Sequence, residues 1–396
     1  MTQPIAKNAT SVAIMSEVTE GVYVAPASGG DFIAVLDGIE SSPERELVER
    51  EVLTSSIGKV TPRVGLESAN AAVPVEAKAS GTEGGTPESG LLIQAALGAT
   101  RSITTTTTTK AAGNTGSVLQ IEDADISKFN LYDILVVKES GAHHVCFVTA
   151  KTTGVGTATI TVSPSKPSGV FSNSVVISKN KMYYTANTGH PTISLSVYWA
   201  GEILQKSWGM RVSQLNLADF TTGQIGKWET SLQGLAFDRV NASPAFTPAP
   251  DSALPPIVVS QACVYQNGVA LKVNNVSLNV SNEVSFVEDI CNGRSASRMT
   301  GREVQVSYNP YMDDTDIGQF TKFDAQTEYT LFAYAANPSG VAGELEMGSV
   351  FGFVLPKCLT TEIPTGDIDG LLTDDITAIG SRGSDGATEE LYIGFI

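Results

Sequence analysis

The sequence predicts a mainly β protein made of two tandem β-sandwich modules, each with one flanking helix, plus a small β-barrel-like domain inserted into the first. Three observations lead there: a composition that favours strands, an order of elements that occurs twice, and one interval whose charge and residue usage break from the rest. The 396 residues and 41.5 kDa suffice for two or three hydrophobic cores. Hydrophobic residues make up 42% and charged residues only 17%, below the usual quarter, while Thr, Val, Ser and Gly are conspicuous throughout. Such a chain prefers strands and turns to helices.

Taken in order, residues 1–30 show no strong period and read as an N-terminal arm lying on the body or on a neighbour. DFIAVLDGI (31–39) reads as the first strand, and 40–72 as a long, mostly polar connection of the kind that is usually functional. Val73 and Val75 alternate with polar or small residues in a strand over 73–79, which GTEGGT then breaks. A helix follows over 86–98, with Thr86 as N-cap, Pro87 in its first position, Glu88 complementing the dipole and Gly98 closing it. Leu91, Leu92, Ala95 and Ala96 give it one apolar face.

The composition then changes. A Thr/Gly linker (99–117) leads into four or five short strands with turn residues between them. Residues 101–186 hold eight Lys/Arg against five Asp/Glu, a net of +3, so the rest of the chain carries −20. A separately folded barrel inserted at 101–186 accounts for both shifts. The first module is thus discontinuous, 31–100 and 187–237, with strands at 192–200, 209–220 and 227–236. Five of the eighteen prolines fall in 238–260, a linker composition, and 261–396 forms the second module.

With the insert removed, the two halves show the same order of elements. DFIAVLDGIE, the acidic LVEREV, AAVPVEAKA, the helix at 86–98 and TISLSVYWA match ALKVNNVSLNV, FVEDIC, GREVQVSYNP, a helix at 314–326 and EYTLFAYAA. Further on, DFTTG (219–223) meets EIPTG (362–366).

The run EAKASGTEGGTPESGLLIQAALG (76–98), together with GVYVAP (21–26), DFIAVLDGIE (31–40) and LVEREVL (47–53), resembles the tail tube proteins of long-tailed bacteriophages, of siphovirus type. The resemblance implies β-sandwiches of tail-tube type with one flanking helix, whose hairpins join those of neighbours into a closed inner barrel; closure satisfies edge strands that would otherwise invite aggregation. It further implies a structural virion protein, not an enzyme, with no cofactor, made in the host cytoplasm and residing in the virion tail. Its implied partners are other copies in stacked rings, the tape measure protein and DNA in the lumen, and tail terminator and distal tail proteins at the ends. With six modules to a ring and two per chain, three chains make a pseudo-hexamer; a homohexamer is the alternative.

The net charge of −17 argues against a phosphate-neutralising groove over most of the surface. Acids lining a channel would instead repel DNA within a Debye length of about 8 Å. Candidates are Asp219 and Glu229 in one hairpin with Glu362, Asp374 and Asp375 in its counterpart. Glu46, Glu49, Arg50 and Glu51 in one long loop, and Glu288, Asp289 and Arg294 in another (283–300), are placed to stack rings.

Other motifs carry less. YMDDTD (311–316) has paired aspartates, but Asp313 and Asp314 precede an apolar helical face and read as a cap. His143, His144 and Cys146 cannot all share one strand face. GDIDG (366–370) lacks the later ligands of a calcium loop, and GTEGG lacks the Lys of a phosphate loop. The four cysteines, with no CxxC pair, read as buried small apolar residues. No apolar run has the length to cross a bilayer, and the first residues lack a secretion pattern. A surface adhesin or carbohydrate-binding β-sandwich is the alternative function.

Overall fold

In the computed structural model the chain is mainly β, with two α-helices, Gly90–Leu97 and Gly318–Asp324, among the described residues. The structure describes residues 10–50, 52, 60–154, 156–250, 254–259, 262–291, 293–312, 318–382 and 389–396. Its spine is a run of eight antiparallel strands. The order is Glu40–Val48, Arg63–Glu76, Lys227–Gly234, Ile203–Ala218, Val273–Asp289, Gly293–Pro310, Ile376–Ser381 and Leu345–Glu362. Alternation gives this sheet one apolar and one polar face. Val73, Val75, Leu215, Leu217, Leu278, Val280, Val304 and Val306 are all buried, whereas Ser231, Gln214, Ser281 and Glu303 between them are exposed.

A second layer shares its apolar cluster with the buried face. Over the first four strands it contains Phe32–Ile33, Thr10–Ser16, Ile193–Trp199 and Ala236–Asn241. Over the other four it contains Val269–Leu271, Ala262–Gln266, Tyr329–Pro338 and Tyr392–Phe395, extended by Asn180–Thr185 and Gly98–Ile103. Ile203–Ala218 passes from one layer to the other, pairing first with Ile193–Trp199 and Ala236–Asn241, then with Lys227–Gly234 and Val273–Asp289. The crossing falls at Gly209, whose φ of +64 and close approach to Leu235 exclude a side chain. Leu345–Glu362 does the same on the other side, from Tyr392–Phe395 to Ile376–Ser381.

The barrel holds six strands in the order Thr107–Thr108, Val176–Ile177, Ile134–Glu139, Ala142–Thr152, Ala158–Ser163 and Val118–Ile121. It is nearly closed, since the Lys110 N–H donates to Gln120 O at 2.7 Å across the gap between first and last strands. Phe129, Leu135, Val137, Val148, Ile160 and Phe171 fill it. The other face of its sheet, Ile134, Val136, Val145 and Phe147, packs on Phe332, Val350, Val354 and Tyr392.

Several boundaries differ from expectation. Within the expected arm, Thr10–Ser16 is a core strand with Val12 and Ala13 fully buried, its apolar stretch being too short to show a period. The expected connection 40–72 is largely the hairpin Glu40–Val48 and Arg63–Glu76; its first strand has one neighbour and is exposed almost throughout, so no alternation marks it. The strand expected at 31–39 shrinks to Phe32–Ile33. The barrel's own strands run from Thr107 to Ile177, because Gly98–Ile103 and Asn180–Thr185 pair with each other in the main sheet. The Pro-rich segment begins with the strand Ala236–Asn241 and later buries Ile257 and Val259.

The first helix starts at Gly90, not Thr86: residues 86–89 form a turn in which the Gly90 N–H donates to Pro87 O at 2.8 Å. Gly98 caps it as expected, at φ +105. The second helix, Gly318–Asp324, lies within the span expected for it, while Asp313 and Asp314 lie outside the described residues.

Candidate functional site

Among the described residues, the polar face of the eight-stranded run carries no second layer. Its side chains bond across strands: Asn216 Nδ2 donates to Glu229 at 3.3 Å and Gln214 Nε2 to Asn279 at 3.2 Å. The second of these bridges the two groups of four strands. Glu40, Glu229, Glu283 and Glu303 stand on this face by alternation, and all four are exposed. Its lysines are drawn to acids at the margins, Lys227 to Asp219 at 2.6 Å and Lys357 to Glu328 at 2.7 Å. The Asp219 hydrogen bond and charge raise the pKa of Lys227, so this lysine stays charged. The face is therefore acidic at its centre.

Of the expected lumen residues, only Glu229 lies on that face. Asp219, at φ +55, occupies the turn after Ile203–Ala218, and Glu362 ends the corresponding strand Leu345–Glu362. Asp374 and Asp375 belong to or follow an extra hairpin, Thr365–Ile368 with Leu371–Asp374, where Thr373 Oγ1 donates to Asp375 at 3.0 Å. These four thus gather at one end of the strands. Glu283 and Glu303 escaped the sequence reading because a single acid in a strand shows its face only once the register is known.

The expected stacking residues lie at the opposite end. Glu46 is exposed on its strand, Glu49 and Arg50 follow it, and Glu51 lies outside the described residues. In the other hairpin Arg294 pairs with Glu288 at 3.0 Å and donates to Glu67 O at 3.2 Å, so the two hairpins touch near their tips. Asp289 accepts the Cys291 N–H at 2.8 Å.

A polar seat that no local pattern announced holds the second hairpin on the first half. Glu20 accepts the Ser297 N–H at 2.6 Å and Arg298 at 2.6 Å, and lies 3.4 Å from Arg211. Arg211 Nε in turn donates to Ser297 O at 3.0 Å. Burial acts to raise the pKa of Glu20, but the Ser297 N–H and the two arginines outweigh it and hold the carboxyl below its usual range. Alongside, buried Asn282 donates to Ala96 O at 3.1 Å and Val212 O at 3.0 Å, satisfying a carbonyl near the end of the first helix. Glu20 and Ser297 are 277 residues apart, beyond any sequence window.

The remaining motifs resolve into structural contacts. His143 Nδ1 accepts the Leu345 N–H at 3.0 Å, while His144 Nε2 lies 2.9 Å from Pro164 O. Among the described residues no three His, Cys, Asp or Glu side chains are grouped to hold a metal. Gly370 N–H reaches Asp367 at 3.4 Å, making GDIDG a turn. Cys146 and Cys358 are buried, and burial pushes both thiols up; contrary to expectation Cys263 is half-buried and Cys291 exposed, the latter at a hairpin tip. No helix among the described residues is long and apolar enough to cross a membrane.

A two-layered β body, an uncovered acidic sheet face and polar groups that lock the second hairpin onto the first half, with no metal cluster among the described residues, give the frame of a structural β protein. The family model of the phage tail tube protein matches residues 7–383, nearly the whole chain, and the chain belongs to that family. Membership makes it a structural protein of the virion tail that associates with itself into a tube. No curated protein matches the chain.

Proposed function

We propose that the protein is the major tail tube subunit of a long-tailed phage or prophage of the non-contractile, siphovirus type. Each chain supplies two tandem tube modules, and three chains close a pseudo-hexameric ring. The reading is carried by one observation: seven strand pairings recur in the two halves. Thr10–Ser16 pairs with Phe32–Ile33 and Ile193–Trp199 as Ala262–Gln266 pairs with Val269–Leu271 and Tyr329–Pro338. The long strands Ile203–Ala218 and Leu345–Glu362 each take three equivalent partners, and Arg63–Glu76 and Gly293–Pro310 each take two. The only other strands in the described first half, Gly98–Ile103 to Asn180–Thr185, arrive with the insert.

In this reading the uncovered face lines the channel. Three chains bring −51 to each ring, from −17 apiece, and Glu229 with Glu283 and Glu303 keeps phosphates off the wall during ejection into the host. Asp219, Glu362, Asp374 and Asp375 ring one mouth, while Glu46, Glu49, Arg50, Glu51, Glu288, Asp289 and Arg294 meet the next ring at the other. The tape measure protein fills the lumen before DNA does, and terminator and distal tail proteins close the ends; assembly takes place in the host cytoplasm. The barrel, fused to one module of the two, projects from the outer layer.

Electron microscopy of the purified, polymerised protein tests this. Hollow tubes with three barrels per ring are expected. Six barrels per ring would replace the trimer by the homohexamer, and a soluble monomer that binds glycans would favour the adhesin reading instead.

A further inference from the structure

Where the barrel docks on the second half of the chain, the seam opens into a cleft of about 660 Å³. His143 of the barrel lines one side, and Cys263, Tyr334, Val341 and Glu344 line the other. We propose that this cleft binds a saccharide, holding two adjacent ring hydroxyls between His143 and Glu344 and the apolar face of the sugar against Tyr334. All of these residues belong to one chain, so the proposal stands apart from the ring reading.

The backbone fixes the donor. The Leu345 N–H donates to His143 Nδ1 at 3.0 Å, so that nitrogen carries no proton and the proton of the neutral ring sits on Nε2. The backbone fixes the acceptor in the same way. Glu344 takes the Gly141 N–H on Oε1 at 2.9 Å and keeps its second oxygen, Oε2, free. The His143 N–H also donates to Gly343 O at 2.8 Å, and a Cβ on Gly343 would collide with Gly141 O. Loop 339–344 and the barrel turn are thus clasped backbone to backbone, and both side chains are oriented before any ligand arrives.

Among the described residues, neither His143 Nε2 nor Glu344 Oε2 has a hydrogen-bond partner, and both side chains are half-buried. One donor beside one carboxylate oxygen suits two neighbouring hydroxyls: the first accepts from Nε2–H, and the second donates to Oε2. No lysine or arginine lines the cleft, and Glu344 repels anions, which excludes a phosphate or sulfate as the ligand. The remaining wall is apolar and rigid. Cys263 opposes Tyr334 across the ladder, and Tyr265 stacks on Tyr334 with ring centroids 6.3 Å apart and 13° between planes. A mostly apolar, aromatic wall with a few placed polar groups is the usual build of a small-molecule site, and the C–H face of a sugar ring packs well on an aromatic ring.

Saturation-transfer NMR of the full chain with the methyl glycosides of glucose, galactose, mannose and N-acetylglucosamine tests this. At least one is expected to bind in the millimolar range. Glu344→Gln keeps the bond to Gly141 but turns Oε2 into a donor, and should weaken binding about tenfold or more. Val341→Trp fills the cleft from a residue that is 55% exposed and leaves the clasp alone, and should abolish binding. No binding to any of the glycosides overturns the proposal, as does binding that both variants leave intact. Binding lost in Val341→Trp but unchanged in Glu344→Gln overturns the two-hydroxyl grip. Comparison of the bound glycoside with its oligomers separates two sources of the same chemistry: tighter binding of the oligomer assigns a polysaccharide, and equal binding a free sugar. Polymerisation of the same protein is scored separately and decides the tube reading alone.

Discussion

Asp133 shows what a single side chain does in holding the barrel to the body. It is fully buried, and burial pushes its carboxyl up while Arg101, 2.5 Å away, pulls it down; the net direction is upward. Arg101 also donates to Leu131 O at 3.1 Å and lies over the rings of Tyr184 and Tyr392. The strand Gly98–Ile103 thereby grips both the barrel and the strand Tyr392–Phe395. Replacing Arg101 by Met keeps the stem but leaves a buried acid without its counter-charge, a change that costs about 3–5 kcal/mol. Denaturant unfolding should show that loss, with the barrel loosening first. Nothing local in ATRSI distinguished this arginine, since its partners come from three distant stretches, around Asp133, Tyr184 and Tyr392.

At the scale of elements, Asn282 ties the second hairpin to the helix Gly90–Leu97 through Ala96 O. Gly98 ends the helix at φ +105, and a Cβ there would lie 2.9 Å from the His190 ring. Gly98→Ala should therefore cost about 1–3 kcal/mol through backbone strain alone, measurable as a fall in denaturation midpoint. The hairpin's hold on Glu20 depends on pH. Because the folded pKa of Glu20 is depressed below its ordinary 4.5, its contribution is present above that value and fades as pH falls through the folded pKa. Protection of the Ser297 amide, taken relative to the intrinsic exchange rate at each pH, should fall on going from neutral pH to about pH 3, and Glu20→Gln should abolish that pH step. The helix stop was legible from Gly98, whereas the first strand of the other hairpin, Glu40–Val48, was not, because a strand exposed on both faces carries no period.

Across the whole molecule, one core ties the two halves together. Phe351 meets Trp228 and Phe220 of the first half and Phe395 of the second, with ring centroids 5.5, 6.2 and 5.3 Å away. The uncovered face on the other side of this core is where charge acts over distance. Replacing Glu229, Glu283 and Glu303 together by Lys should leave assembly intact, since all three are exposed, and should slow DNA ejection as the wall turns from repelling to attracting phosphate. An ejection rate unchanged in single-particle ejection assays would remove these acids from the lumen.

The sequence by itself determined that the chain is mainly β, that a small barrel interrupts it, and that Gly98 and the turn glycines punctuate it, because composition and turn chemistry are local. It also suggested a doubled order of elements, on which the proposed two-module reading rests. Only the tertiary structure decided that Thr10–Ser16 belongs to the core, that 40–72 is a hairpin, and which acids share a face with Glu229. The reason is physical: which way a strand residue points, and what lies beside an edge, depend on register with partners tens to hundreds of residues away, and no stretch of sequence contains its own neighbour.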